Sequence, residues 1–469
     1  MRLIAYMKPY AHWVIFALLL VLGLTALDLY RPMLVGDAID TFGANGDYDV
    51  IIATAIKYAV VLALSFAFNI AQTWILQKTG QNIILQMRKD LYRHIQSLGS
   101  RYFDITPVGK LVTRVTNDVE ALNEMYSGIL VQLFRNIVKI VGLAGVMLVL
   151  DVRLAAISFV LMPLVIGLTV LCQKIARNIY RLYRTRLTDI NTFLSEHLSG
   201  MKIIQIFGRQ ERKFEEFHDK NTKLYKAFYR EMLMYAVFRP LIYILSILSL
   251  MIVLWLGSRN VFDEIISVGT LYIFSNYIRS FFDPIQELAE QFSTLQSSIA
   301  SAEKIFTVMD EDEFVPEVEN PKQPDKITGK IEFDHVWFAY DGENYVLKDV
   351  SFVINPGEKV AFVGATGAGK SSILNLIGRY YDIQKGHIYI DGIDIRQLSK
   401  KQLRSAIGQM QQDVFIFEGD VAYNIRLNDD DITDAQVKEA AEYVNASHFI
   451  EKLPQGYHEP VTELSLIPI

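Results

Sequence analysis

Residues Gly364 to Ser371 read GATGAGKS and fit the spacing G-x-x-x-x-G-K-[ST] without a mismatch. Glycines at this spacing let the backbone wrap an anion with successive N–H groups, and a following helix adds the positive end of its dipole. The lysine reaches the β- and γ-phosphates of a nucleotide, and the hydroxyl after it sits on Mg²⁺. At average residue usage the pattern arises by chance in roughly one or two per cent of chains this long. The loop is therefore read as a nucleotide site. Gly364, Thr366, Gly367, Ala368, Gly369, Lys370, Ser371 and Ser372 are its candidate contacts, with Ser371 on the metal.

Such a loop needs a strand before it and a helix after it. Lys359 to Val363 (KVAFV) is predicted as a short buried strand, and Ser372 to Ile377 as the start of a helix. The wider chain sets the context. Its 469 residues suggest two to four domains, and its 51% hydrophobic content with a mean hydropathy of +0.22 is high for a soluble protein. Net charge is −6, and no block of Lys or Arg forms a nucleic-acid footprint. A single cysteine, Cys172, excludes a disulfide framework and a cysteine-based metal site.

Six stretches are apolar enough to cross a hydrocarbon core of ~30 Å, which takes about 20 helical residues. They are His12 to Tyr30, Ile51 to Ile75, Ile129 to Leu150, Leu154 to Cys172, Val237 to Gly257 and Val268 to Phe282. Lys and Arg crowd the loops after the second and fourth stretches, while the connections after the first, third and fifth carry almost none. Both termini, the two long loops and the nucleotide loop are thus expected on the cytoplasmic side. Helical apolar spacing continues through Gln77 to Leu98 and Lys174 to Leu198, so membrane helices are expected to extend into the cytoplasm. A further helix is predicted from Gln286 to Met309, then a linker rich in Pro, Glu and Asp. From Lys330 onward, IEFDHVWFAY, VSFVI, KVAFVG and HIYIDG read as strands that open an α/β domain.

Six spans followed by this loop, in this order, resemble an ABC exporter half-transporter with fused membrane and nucleotide-binding domains. The resemblance implies an N-terminal six-helix transmembrane domain (1–309), a linker (310–329) and an incomplete C-terminal α/β P-loop NTPase domain (330–469). Tyr340 resembles the family's aromatic that stacks on adenine; its alternative is a core aromatic of a strand. Gln412 in QQDVFIF resembles the glutamine that touches Mg²⁺ and the attacking water. RYFDITPVGKLVTRVTNDV (Arg101 to Val119) and EHLSGMKIIQIFGRQ (Glu196 to Gln210) resemble its two intracellular coupling segments. The family implies ATP and Mg²⁺ as cofactors, and a second half-transporter as partner, in a homodimer or heterodimer. It also implies a multi-pass place in the plasma or inner membrane and export of drug-like or lipid-like compounds. ATP would drive the switch only by favouring the closed pair over the open one.

One region departs from the family pattern. EKLPQGYHEPVTE (Glu451 to Glu463) leads towards the family's signature loop, but LSLIPI follows instead. On this reading the Walker B carboxylate, catalytic glutamate and switch histidine are missing, and no catalytic residue is assigned. The chain alone is then expected not to hydrolyse ATP, and the loop's strand to expose apolar surface. The alternative function is a non-catalytic membrane subunit that lends its spans and one nucleotide loop to an intact partner. For the transport path, Arg279 and Tyr277 in the sixth stretch are candidates, an intramembrane charge being a functional site by default. Arg279 would face a cavity, pair with Asp283 or Asp28, or snorkel to a helix end. Asn69 and Gln72 are as readily interhelical hydrogen-bond partners.

Overall fold

The computed structural model describes residues 2–46, 48–160, 162–410, 415–427, 429 and 431–461. The chain divides into two units, Met1–Phe314 and Val315–Ile469.

The first unit is helical. Its long helices are α1 (Ala11–Asn45), α2 (Tyr48–Ser97), α3 (Leu130–Leu150), α4 (Met162–Ser199), α5 (Gln210–Phe262) and α6 (Val268–Met309). Four helical stretches, Arg2–Gly43, Tyr48–Ser97, Val108–Leu150 and Gln210–Phe262, are long and apolar enough to cross a membrane. The fourth predicted span falls on the helix Val152–Val160 and the start of α4; Leu161 lies outside the described residues. The sixth lies on α6, where Arg279, Asp283 and Glu287 interrupt the apolar run. At 1.5 Å per residue, the 50 residues of α2 and 53 of α5 reach about 75 and 80 Å. Both far exceed the hydrocarbon core, and the charged, periodic extensions read from the sequence are continuous helix, the first within α2 and the second within α4.

Two contacts fix how these rods meet. Where α6 begins, a Cβ on Gly269 would lie 2.1 Å from the carbonyl oxygen of Gly36 in α1, so only glycine allows this approach. Asp40 of α1 accepts the Gly269 N–H at 2.7 Å, and the Ser267 hydroxyl accepts that of Thr270, so two side-chain oxygens cap the helix. At the other end, Met87 and Leu91 of α2, Leu122 of the helix Val119–Glu124 and Ile305 of α6 share one core. Beside it, buried Asp118 accepts from Ser301 at 2.9 Å, pairs with Arg114 and lies 3.9 Å from Lys304.

The coupling-like segments break into short pieces. The first contains the helices Ser100–Ile105 and Val108–Thr113 and a π turn, Arg114–Asp118. The second turns at Gly200 and forms Met201–Ile206 before α5. Ile105, Val108, Ile203 and Phe207 are exposed.

In the second unit β1 (Ile331–Phe338) lies between β2 (Leu347–Ile354) and β3 (Lys385–Ile390), with β4 (Ile393–Asp394) at the edge, in the order β2-β1-β3-β4. Every ladder in this sheet is antiparallel. Phe333, Phe338 and Ile388 from the sheet pack with Leu376 and Ile377 of α7 (Lys370–Ile377). The predicted strand Lys359–Val363 is corrected here: it forms no ladder among the described residues, and Val363 is 90% exposed. Apolar alternation alone does not make a strand; the ladder needs a partner. The part of the proline-rich segment beyond Phe314 is also no free tether. Lys400 donates to the carbonyl of Val315 at 2.7 Å, Arg379 to that of Pro316 at 3.0 Å and Gln402 to that of Pro324 at 2.9 Å.

At the sheet edge, burial would raise the pKa of Asp394, but hydrogen bonds from Arg396 and His387 outweigh it and hold the carboxyl at about 2. A depressed carboxylate stabilises the fold above its unfolded pKa, near 4, and loses that contribution as pH falls towards 2. Asp394→Asn is expected to cost about 2 kcal/mol at pH 7, lowering the melting temperature of this unit. That difference should shrink steadily in thermal melts taken below pH 4; a gap independent of pH would contradict the assignment.

Candidate functional site

The glycine-rich loop runs from the extended segment Lys359–Val363 into α7. Gly367 and Gly369 both have φ of +86°, a left-handed conformation that side chains resist. At Gly369 the limit is doubled, because a Cβ would also lie 2.6 Å from the buried Leu347 side chain. These two residues reverse the chain twice and bring it into α7 with Gly369 as the N-cap.

The reversal lets Lys370 fold back across the loop. Its ammonium donates to the carbonyl oxygens of Gly364 at 2.9 Å and Ala365 at 2.8 Å. A cation is therefore held over the loop beside the N-terminus of α7, the end of a helix that favours anions. Phosphate oxygens would compete well for this lysine, since N⁺–H···O⁻ bonds are about twice as strong as bonds to neutral carbonyls. Gly364, Thr366, Gly367, Ala368 and Ser371 are exposed at the loop surface. Exposed Ser371 presents a hydroxyl that could complete the shell of a phosphate-bound Mg²⁺. Among the described residues, no group of three His, Cys, Asp or Glu side chains could hold a metal by itself.

Ser372 behaves differently from its neighbour. It is buried, and its hydroxyl lies 2.9 Å from the Tyr340 hydroxyl. Ser372 thus ties α7 to Tyr340 rather than facing the loop surface. Tyr340 is half-buried, edge-on to Phe338 and to Tyr381, with ring centroids 4.7 and 5.1 Å away. Its backbone is set by Gln384, whose amide accepts the Ala339 N–H at 2.8 Å and donates to the Ala339 carbonyl at 2.9 Å. Neither Tyr381 nor Gln384 stood out in the sequence. The Tyr380-Tyr381 pair just after α7 was the only available sign of an aromatic cluster. Gln412 lies outside the described residues.

The transport-path candidates belong to the other unit and divide. Tyr277 is 1% exposed and donates its hydroxyl to the Leu29 carbonyl at 2.5 Å. This bond packs α6 against α1. Arg279 is exposed and makes no ion pair among the described residues. Asp28 instead pairs with Arg31 at 2.9 Å and Arg135 at 3.5 Å. Asn69 is exposed, and the Gln72 side-chain oxygen is buried without a partner among the described residues.

Gly369→Ala is expected to cost about 1–3 kcal/mol through its left-handed backbone and to weaken nucleotide binding more than tenfold. Tyr340→Phe keeps the ring and removes only the hydroxyl, so a loss of about 1 kcal/mol with nucleotide still bound is expected. Thermal melts and nucleotide titrations on both variants check this; equal binding by Gly369→Ala and the parent would contradict the cradle geometry.

Comparison with known proteins places this geometry in context. Residues 14–285 match the family model of the ABC transporter transmembrane region, and residues 347–466 match that of the ABC transporter. The chain is 36% identical to the ABC transporter ATP-binding protein exp8 of Streptococcus pneumoniae, over 98% of this chain and 79% of that protein. A Bacillus subtilis protein named for multidrug resistance, YheH, is 35% identical over 87% of this chain and 60% of its own length. The ATP-dependent lipid A-core flippase of Desulfotalea psychrophila is 30% identical over 96% of this chain and 78% of its own.

Proposed function

Because this chain belongs to the ABC transporter family, with a membrane region followed by an ATPase region, we propose that it is one half of an ATP-driven exporter. It carries drug-like or lipid-like compounds out across the cytoplasmic membrane, paired with a second half as a homodimer or heterodimer. Six spans cross the bilayer, and both termini with the nucleotide loop face the cytoplasm. The observation that carries the reading is a lysine-capped, left-handed glycine loop on the same chain as several long apolar helices. Multidrug and lipid A names among the relatives support this substrate range.

Bound MgATP supplies a phosphoanhydride whose cleavage removes the bias towards a closed pair. The work of this chain's residues is positional, as phosphoryl transfer demands. The loop N–H groups hold phosphate oxygens, and Lys370 leaves its two carbonyls to neutralise charge on them. Ser371 orients the metal. Tyr340, beside the buried face of α7, would stack on the adenine, and Gln412 would touch the Mg²⁺ and the attacking water. Exposed apolar residues Ile105, Val108, Ile203 and Phe207 mark the tips of the two coupling-like segments.

Photolabelling with azido-ATP should mark the peptide containing Gly364 to Ser371, and inside-out vesicles bearing the chain paired with a catalytically competent second half should accumulate a fluorescent amphiphile only with ATP. Lys370→Ala removes a charge-assisted contact worth about 1.5–3 kcal/mol, so labelling should fall roughly 10- to 100-fold and accumulation should stop. Undiminished labelling and accumulation in Lys370→Ala would sink the reading.

A further inference from the structure

Ala339 lies one residue beyond the end of β1 and is 3% exposed. Buried peptide groups need hydrogen-bond partners, so its N–H and C=O have to be met from within the protein. The backbone ladders stop just short of it. On the β2 side, the Val346 N–H donates to the Phe338 carbonyl at 2.8 Å. On the β3 side, the Gln384 N–H donates to the Trp337 carbonyl at 3.2 Å.

Gln384 continues the ladder with its side chain. Its amide oxygen accepts the Ala339 N–H at 2.8 Å, and its amide nitrogen donates to the Ala339 carbonyl at 2.9 Å. Two residues of an antiparallel pair exchange bonds in the same reciprocal way. A side-chain amide has the acceptor and donors to imitate one of them, so Gln384 adds one rung to the sheet.

That rung bears on the next residue, because the Ala339 carbonyl belongs to the peptide that enters Tyr340. The Tyr340 ring is held at its far end by the Ser372 hydroxyl and along its edges by Phe338 and Tyr381. Gln384 fixes the near end, the backbone from which the ring projects. A platform held at both ends loses little freedom when a ligand settles on it. Stacking of a base on an aromatic ring multiplies affinity by about 5- to 150-fold. The phosphates are served by other residues, Gly364 to Ser371, so the two halves of a nucleotide are gripped separately.

We propose that Gln384 is the positioning residue for the nucleobase: by holding the peptide that enters Tyr340, it makes the site prefer a base-bearing triphosphate over bare polyphosphate. Gln384 acts through the Tyr340 ring and leaves the phosphate loop unchanged. The proposal rests on the reading of Tyr340 as the platform for adenine.

The test titrates the full chain in nanodiscs with MgATP and with magnesium tripolyphosphate. The ratio of the two affinities isolates what the nucleoside adds. Gln384→Ala is expected to lower this ratio about fivefold while tripolyphosphate binds as it does to the parent. Gln384→Met keeps the length of the side chain and removes both hydrogen bonds, so it should match Gln384→Ala. Tyr340→Ala should lower the ratio at least as far, and adding Gln384→Ala to it should lower it no further, since the ring to be positioned is gone. A parent-like ratio in either Gln384 variant, equal losses for both ligands, or additive losses in the double variant overturns the proposal and leaves the adenine reading standing. A ratio unchanged by Tyr340→Ala overturns both.

Discussion

The left-handed backbone at Gly367 and Gly369 is the constraint from which the nucleotide site follows. Two reversals within three residues carry the chain from an extended segment into α7, and only glycine makes them without strain. They set the Lys370 ammonium over the carbonyls of Gly364 and Ala365, and they leave the loop surface open to an anion. Gly369 is further pinned by Leu347, so the entry to α7 and the start of β2 hold one another in place. Beneath the loop, the Ser372–Tyr340 bond and the reciprocal Gln384–Ala339 pair tie α7 to the sheet. The contacts that shape the cradle are thus internal to the chain, and a loop held by its own contacts lowers the ordering cost of binding.

A comparable economy governs the membrane unit. Helices such as α1 and α6, 35 and 42 residues long and so about 50 and 60 Å, need few anchors if those anchors are placed far apart. The Gly36–Gly269 approach holds α1 to α6 at one end, and the Asp118–Ser301 bond holds α6 to the first coupling-like segment at the other. Between these points the helices pack through apolar contacts with a few polar ones such as Tyr277–Leu29, and an apolar groove of about 870 Å³ lies between α3, α4 and α6.

Local chemistry made part of this legible in the sequence. The loop was legible because glycine tolerance and the lysine are properties of single residues at fixed spacing. The helical extensions from Gln77 and Lys174 were legible because periodicity persists beyond the apolar runs. Features that depend on distant neighbours were not. KVAFV has the composition of a buried strand, yet without a ladder partner among the described residues Val363 stands 90% exposed. The Tyr277 hydroxyl bonds the Leu29 carbonyl across 248 positions of sequence, a partner no local pattern announces. Ser372 reads as one more phosphate contact, but the helical turn carries it inward to Tyr340. Gln384, 45 positions from Ala339, gives no local signal at all.

The most direct measurement of the central claim is amide hydrogen exchange across residues 359–377, with and without MgATP. A preformed cradle whose N–H groups grip phosphate predicts strong added protection confined to the loop and the first turn of α7, absent with Lys370→Ala. Exchange in that loop that stays unchanged at saturating MgATP would contradict the account.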